Sequence, residues 1–437
     1  MQELLAKLKG RVNSGELYRV NYKSTPVDYE MGQLKSVNAE EMEGWALRVI
    51  HEGKIGFSSS TSESQFEAMA EKAIEVAQFG QTALFDFPAK IKTPRGKKIK
   101  LYDSAVAKKS IAEMVEIGNN IVAKVNSLDS GLRCDAGIAK FEGKVQYENS
   151  YGATFSYQKT SFANSIMIQD TQENDMMMLM ESQEWGEADF SWESLWSKIE
   201  KKLEWGKKIV EIENGYQPVI FTPKALLVLM LPLIAGLNGR MVNKKISPLQ
   251  EKKGELLFNP MLSIYSDGTI DYAEGSALYD DEGIAMGRLP LIVDGVLQNY
   301  YYDLQNAAEA GVKPTGNGLR NSFHTSPSPG ISNLIIPAGT LSFEEMVKDI
   351  KSGIIVDQVL GLGQGNILSG AFSNNVQLGY RIDKGKIVGR IKNVMIAGNA
   401  LEVLKDIVAI GKEAEWVSGR YHFPPVYLKA ISVSTKD

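Results

Sequence analysis

GWALRVIHEGKIGFSSS, Gly44 to Ser60, is a pair of apolar-alternating runs folded about His51-Glu52-Gly53. Successive side chains of a strand point to opposite faces, and glycine in a short polar break supplies the left-handed backbone of a tight hairpin. The stretch therefore predicts two antiparallel strands. The residues before it, ELYRVNYKS (16–24) and VDYEMGQLKSV (27–37), read as further strands of the same meander. A helix follows, opened by Ser62 with Gln65 three residues on in a capping-box pattern, carrying Phe66, Met69, Ala73 and Ala77 on one face and closing at Gly80.

Asp86 to Lys100 is Pro-punctuated and basic, and reads as a solvated linker. Beyond it Ile111, Met114, Val115, Val122 and Val125 recur at helical spacing, and a second meander runs from Arg133 to about Gln183, with FEGKVQY echoing IHEGKIGF. A helix capped at Ser191, with Leu195, Trp196, Ile199 and Leu203 inward, closes this half. The expected fold is α+β. Residues 1–213 form an N-terminal domain of antiparallel meanders with packed helices, in which 1–85 and 101–213 could be similar units. Residues 214–437 form a mainly antiparallel β domain with a few helices, with hairpins at Asp294-Gly295 and Asp383-Lys384-Gly385.

The chain has 437 residues, 43% of them hydrophobic, ample for buried cores. Forty-eight basic against fifty-three acidic residues give a net charge of −5, which makes nucleic acid a poor partner. A single cysteine, Cys134, excludes an internal disulfide and fits a reducing compartment. The N-terminus alternates charged and apolar residues as an amphipathic helix does, without a secretory apolar core, so the expected location is cytoplasmic. Ala225 to Leu237 is the most apolar stretch, well short of the roughly 18 to 20 residues that span a bilayer.

The search for chemistry turns on scarcity. Only His51, His324 and His422 exist. His51-Glu52 begins HExxH, but Ile55 replaces the second histidine and the segment reads as an exposed turn. His324, in GNGLRNSFHTSPSPG, and His422, in GRYHFPP, stand outside any nucleophile elbow. VLGLGQGNILSG lacks the GK[ST] ending of a P-loop and reads as a tight strand-to-strand turn. Asp280, Asp281 and Glu282 are adjacent, a pattern that more often caps or hydrogen-bonds backbone than cages a cation. Alternate residues of Asp175 to Met180 face opposite ways, so its methionines cannot converge on one soft metal.

The ordered series DDEGIAMGRLPLIVDGVLQNYYYDLQNAAEAG, TGNG, NLIIPAGTLSFEEMV, GLGQGNILSGAFS and IKNVMIAGNALEVLKDIVAIG resembles the TldD/PmbA family, and GQLKSVNAEEMEGWALRVIHEGKIGFSSS resembles that family's opening domain. These are intracellular peptidases, described also as modulators of DNA gyrase. The resemblance implies two kinds of subunit. TldD-like subunits carry HExxxH on a helix, which supplies zinc ligands and a general base; PmbA/TldE-like subunits share the fold without that motif.

Here the matching helix is LVLMLPLIAGLNG, and the motif's positions fall at Met230, Leu231 and Ala235. No histidine, aspartate, glutamate or cysteine occurs from Ala225 to Met241, so a one-residue slip changes nothing. Residues five apart on a helix are rotated by about 140°, so such ligands need a local break, for which Pro232 and Gly236 remain. The resemblance thus implies a non-catalytic subunit with no cofactor of its own and a TldD-like partner that holds zinc. The substrate would be peptide, met by a groove of Asp280, Asp281, Thr315, Asn317 and Gln364. The alternative is a homodimeric peptide-binding or regulatory protein without a catalytic partner. A hydrolase built on His324, His422 and Cys134 is a third.

Overall fold

The computed structural model describes residues 1–91, 98–129, 131–173, 175–188 and 191–435; the centre of the basic linker, 92–97, lies outside the described residues. The first half runs α1 (Gln2–Ala6), β1 (Ser14–Glu30), β2 (Gln33–Val37), β3 (Glu40–His51), β4 (Lys54–Ser60), α2 (Phe66–Ala77), α3 (Ser104–Lys108), α4 (Ile111–Leu128), β5 (Arg133–Asn149), β6 (Thr154–Gln172), β7 (Asp175–Trp185) and α5 (Trp192–Gly206). Both meanders belong to one antiparallel sheet, ordered β4-β3-β1-β5-β6-β7, because β1 pairs with β3 on one side and β5 on the other. β2 pairs with the far end of β1.

Several local expectations are corrected. ELYRVNYKS and the start of VDYEMGQLKSV are one strand, running through Pro26. The proline is tolerated because it falls between the last partner in β3, Ser24 with Glu40, and the first in β2, Val27 with Val37. VDYEMGQLKSV itself bends at Met31-Gly32, where both φ angles are positive. The echo between FEGKVQY and IHEGKIGF is not a repeated turn. Glu52 and Gly53 form a hairpin tip at φ 49° and 75°, whereas Gly143 lies in mid-β5, paired with Tyr22 and Lys159.

Ser62 and Gln65 form no capping box. Ser62 caps a 3-10 turn, and Gln65 Oε1 accepts instead from Ser60 Oγ at 2.7 Å, so α2 begins at Phe66. Of the residues at helical spacing in α4, Ile111 is exposed at the first turn, while Met114, Val122 and Val125 are buried. His51 is half-buried and its Nδ1 lies 2.9 Å from the Arg11 carbonyl, tying the N-terminal segment to β3.

The second half is built around strands that close on themselves. β8 (Gly215–Phe221) lies between Ser352–Val359, parallel to it, and Val426–Thr435, antiparallel. Val426–Thr435 continues to Val394–Asn399 and then to the first part of Ala371–Asp383, whose second part returns to Ser352–Val359. A smaller sheet runs in the order Val296–Leu297, Arg288–Val293, Ile264–Asp267, Leu334–Ile335, Tyr421–Phe423 and Glu415–Val417. The fold is α+β, as expected. The hairpins at Asp294-Gly295 and Lys384-Gly385 both turn through left-handed residues.

Alternation along β8 sets the layers. Val219 and Phe221 pack in one core with Leu229 and Leu233 of α6 (Leu227–Leu237); Ile220 faces a second core, shared with Ile138 and Phe162 of the first half. In the methionine run Met177 and Leu179 are buried while Met176 and Met180 are exposed, as strand alternation requires. Among the described residues no helix is long and apolar enough to cross a membrane.

Candidate functional site

α6 is the first element to place. Eleven residues of LVLMLPLIAGL, with no charge among them, sit against the main core; Met230 is fully buried, and Leu231 and Ala235 are half-buried. Pro232 lies inside the helix and removes one donor from its ladder. The carbonyls of the last turn find other partners. Tyr301 Oη donates to the Ile234 carbonyl at 3.0 Å, Ser247 Oγ to that of Gly236 at 2.5 Å, and the Tyr301 N–H to that of Leu237 at 3.2 Å. The last turn of the irregular helix is thus supported, but the side chains at the motif positions are a thioether, an isobutyl and a methyl group. They do not fit zinc, which is held by thiolate, imidazole or carboxylate. Among the described residues no three His, Cys, Asp or Glu side chains group to hold a metal ion.

Gln364 lies beside this helix. It is exposed in the loop between Val359 and Ala371, and a Cβ on Gly363 would stand 3.7 Å from Leu231 Cδ1. That loop is longer than the tight turn expected, and Gly361, Gly363, Gly365 and Gly370 all have positive φ. Leu360 and Leu362 are exposed on it.

The other four expected groove residues lie together elsewhere. Asp280, 1% exposed, accepts from the N–H groups of Glu282 and Ile284 through Oδ1 at 3.0 and 2.9 Å, and from Gly318 through Oδ2 at 2.9 Å. Asp281 Oδ2 accepts from the Arg320 N–H at 2.7 Å. Thr315 Oγ1 accepts from the Tyr302 N–H at 2.8 Å and lies 2.9 Å from Asn317 Oδ1; buried Asn317 donates to the Gly330 carbonyl at 2.8 Å. These side chains hold the 280–284 and 315–330 loops to each other. Burial pushes the carboxyls of Asp280 and Asp281 up, against the N–H groups that hold them ionised.

Sequence reasoning missed the group beside them. Arg48 of β3 lies with Nε 2.8 Å from Glu16 Oε1 and Nη1 2.7 Å from Glu282 Oε1, and Arg320 Nη2 also reaches Glu16 Oε1 at 2.8 Å. All four side chains are almost wholly buried. Glu16 and Arg48 face each other across the β1–β3 ladder, and Glu282 and Arg320 come from the second half. Glu282 Oε2 accepts from the Leu304 N–H at 2.7 Å. Burial pushes the Glu282 carboxyl up to about 7, with Asp303 and Glu16 adding to it and Arg48 opposing. The available signal was a lone arginine inside WALRVI, because a charge on a buried strand face must find a partner.

The three residues of a conceivable hydrolase do not meet one another. His324 Nδ1 lies 3.1 Å from Ser59 Oγ at an exposed position, His422 packs on Trp416 with ring centroids 4.8 Å apart, and Cys134 is buried in β5 with its thiol pushed up to about 11 by burial. A thiol held protonated in this way is a poor nucleophile.

Comparison with known proteins agrees with this architecture. The family model described as PmbA/TldA metallopeptidase C-terminal domain matches residues 214–435, and that described as PmbA/TldA metallopeptidase domain 1 matches 15–77. A metalloprotease TldD homologue of Haemophilus influenzae is 37% identical over 180 residues, covering 41% of this chain and 37% of that one, so the match spans little more than a third of that relative's length. The metalloprotease PmbA of Escherichia coli O157:H7 is 23% identical, covering 89% of this chain and 85% of its own. The crystal structure of TldE from Thermococcus kodakarensis superposes with a TM-score of 0.92 at 19% identity, covering 99% of both chains, which is a likeness of fold.

Proposed function

Because the chain belongs to the PmbA/TldD family of metallopeptidases, we propose that it is the subunit of a TldD/TldE-type peptidase that performs no zinc chemistry itself. In this reading a TldD-like partner bearing HExxxH supplies the zinc and the general base, and the present chain helps to enclose and present the peptide in the cytosol. The observation that carries the reading is α6. Its scaffold persists, proline break included, while Met230, Leu231 and Ala235 offer the metal nothing and no ionisable ligand lies between Ala225 and Met241.

Peptide contact is assigned to the exposed Gly-rich loop that carries Gln364 and rests on Leu231, where the side chains of Leu360 and Leu362 are also exposed. Asp280, Asp281, Thr315 and Asn317 lie apart from it and fix the 280–284 and 315–330 loops to each other.

The test is metal analysis of the purified chain together with peptidase activity, alone and mixed with an HExxxH-bearing homologue from the same organism. Activity that appears only in the mixture, with zinc confined to the homologue, is the expected result. One zinc per chain with intrinsic chelator-sensitive hydrolysis overturns it. A chain that self-associates, binds peptide and gains nothing from the homologue returns the homodimeric alternative.

A further inference from the structure

The methionine run of the first half and the Gly-rich loop of the second meet on one surface. Met176, Met178 and Met180 alternate along β7 and so share a face of the sheet, and the register sets Met167 of β6 opposite Met180 on that face. Gln169 Nε2 donates to Met176 Sδ at 3.4 Å, and Gln377 Nε2, from Ala371–Asp383, to Met178 Sδ at 3.2 Å. Gln358 Nε2 reaches the Met180 carbonyl at 3.1 Å; two residues on, Leu360 begins the loop, with its N–H on the Asn375 carbonyl at 2.9 Å. Met176, Met180, Leu360 and Leu362 are 56%, 46%, 51% and 40% exposed. Large apolar side chains left open side by side mark a surface that meets another molecule.

In a chain with 23% charged residues this surface is neutral. From Leu360 to Gly379 there is no Asp, Glu, Lys, Arg or His. Asp175 and Glu181, which bound the methionine run, are both held in ion pairs, Asp175 with Arg390 and Glu181 with Lys202 and Lys224. An acidic or basic partner therefore finds no free counter-charge here, and the complementary occupant is uncharged and apolar. Its sequence is variable rather than fixed, because thioethers repack easily and Gly361, Gly363, Gly365 and Gly370 give the loop a backbone of positive φ. Methionine-rich and loop-rich surfaces of this kind serve binders of many sequences, whereas a permanent subunit contact is met by rigid complementarity.

We propose that this face binds the apolar side chains of an extended, uncharged peptide segment, seated on Met176, Met178 and Met180 with Leu360 and Leu362 beside them. Alternate residues of β7 are about 6.7 Å apart, the same spacing as alternate side chains of an extended peptide, so every second side chain of the peptide meets a methionine. The inference rests on the reading of the Gly-rich loop as the peptide contact. It narrows the substrate class from peptides at large to those with apolar residues at alternate positions and no charge between them.

The test is fluorescence anisotropy of the full chain with fluorescein-labelled Gly-Ser-Leu-Ser-Leu-Ser-Leu-Ser-Gly and with counterparts that carry Gln, Glu or Lys in place of Leu. Saturable binding of the Leu peptide is expected, about tenfold or more tighter than that of each counterpart. Met180→Gln and Leu360→Gln, at exposed positions and with the fold checked by circular dichroism, should each weaken the Leu peptide about threefold to tenfold, while Met180→Leu keeps it within about twofold. No binding of the Leu peptide, equal or tighter binding of a counterpart, or indifference to both Gln variants overturns the proposal. So does a dimer in sedimentation that Met180→Gln dissociates, because it gives the face to a second copy. Binding is read without any zinc-bearing homologue. Selectivity for the Leu peptide beside an inactive mixture would therefore sink the proposed function alone, and an active mixture without that selectivity would sink only the present inference.

Discussion

Arg48 is the residue on which most rests. It is 3% exposed, between Glu16 and Glu282, with its guanidinium also over the rings of Phe85 and Phe87 at 5.0 and 5.2 Å. Replacing it by alanine leaves two buried carboxylates with one fewer cation, so Arg48→Ala should cost about 3–5 kcal/mol in urea denaturation. A loss under about 1 kcal/mol, the range of an exposed pair, would refute the buried-network account. Lysine there keeps the charge but loses the fork that serves two acceptors, and should fall between the two. Glu282 gives the same network a pH dependence. Its folded pKa, up to about 7, lies above the unfolded carboxyl value, so the folded state binds the extra proton. Stability from this group is therefore greatest below the unfolded value and declines as pH rises through 7. The melting temperature of Glu282→Gln should change less between pH 5 and pH 8 than that of the native chain. His422, lowered by burial, runs the opposite way in both proteins and cancels in the comparison. Parallel pH profiles would show that Glu282 does not titrate in this window.

At the scale of elements, spacing is set where backbone meets backbone. A Cβ on Gly56 of β4 would lie 1.9 Å from the Ala73 carbonyl oxygen and 2.9 Å from the Ala77 Cβ, so α2 packs directly on the strand. Gly56→Ala must push helix and strand apart and should cost on the order of 1–3 kcal/mol, read by urea denaturation; an unchanged midpoint would mean the contact is slack. This contact also shows what could be read in the chain alone. The alternation in GWALRVI and the spacing of Phe66, Met69, Ala73 and Ala77 foretold the strand and the inward helix face, since burial imposes those periods. The start of α2 was misread because a capping-box pattern names partners three apart, and Gln65 had a better one in Ser60. The division between ELYRVNYKS and VDYEMGQLKSV is overridden by the β5 ladder, which pairs Pro26 with Ala139. At the site, the loss of ligands on α6 was legible because it is a matter of residue type. The Glu16, Arg48, Glu282 and Arg320 group was not, because its members are up to 304 positions apart and only the tertiary fold brings them together.

Across the whole molecule, buried charge networks join the halves. Besides the Arg48 group, Lys202 of α5 reaches Glu181 of β7 at 2.6 Å and Asp357 of the second half at 2.7 Å, while Lys224 reaches Glu181 at 2.8 Å. Between them runs a continuous apolar core in which Ile138 and Phe162 share contacts with Ile220, Ile355 and Tyr380. Domains joined by a small polar interface unfold separately, but here neither half can leave without exposing apolar core and stranding buried ions. The chain should therefore unfold in one calorimetric transition whose van't Hoff and calorimetric enthalpies agree. Lys202→Met leaves Asp357 without its cation, and should lower that single transition, by about 3–5 kcal/mol of stability, without splitting it. Because the two networks share no member, the costs of Arg48→Ala and Lys202→Met should add to within about 0.5 kcal/mol. Two resolved peaks in the native chain, or a second peak freed by Lys202→Met, would show that the halves are independent units that merely touch. A single transition with additive losses would mean that the seam between the halves is core.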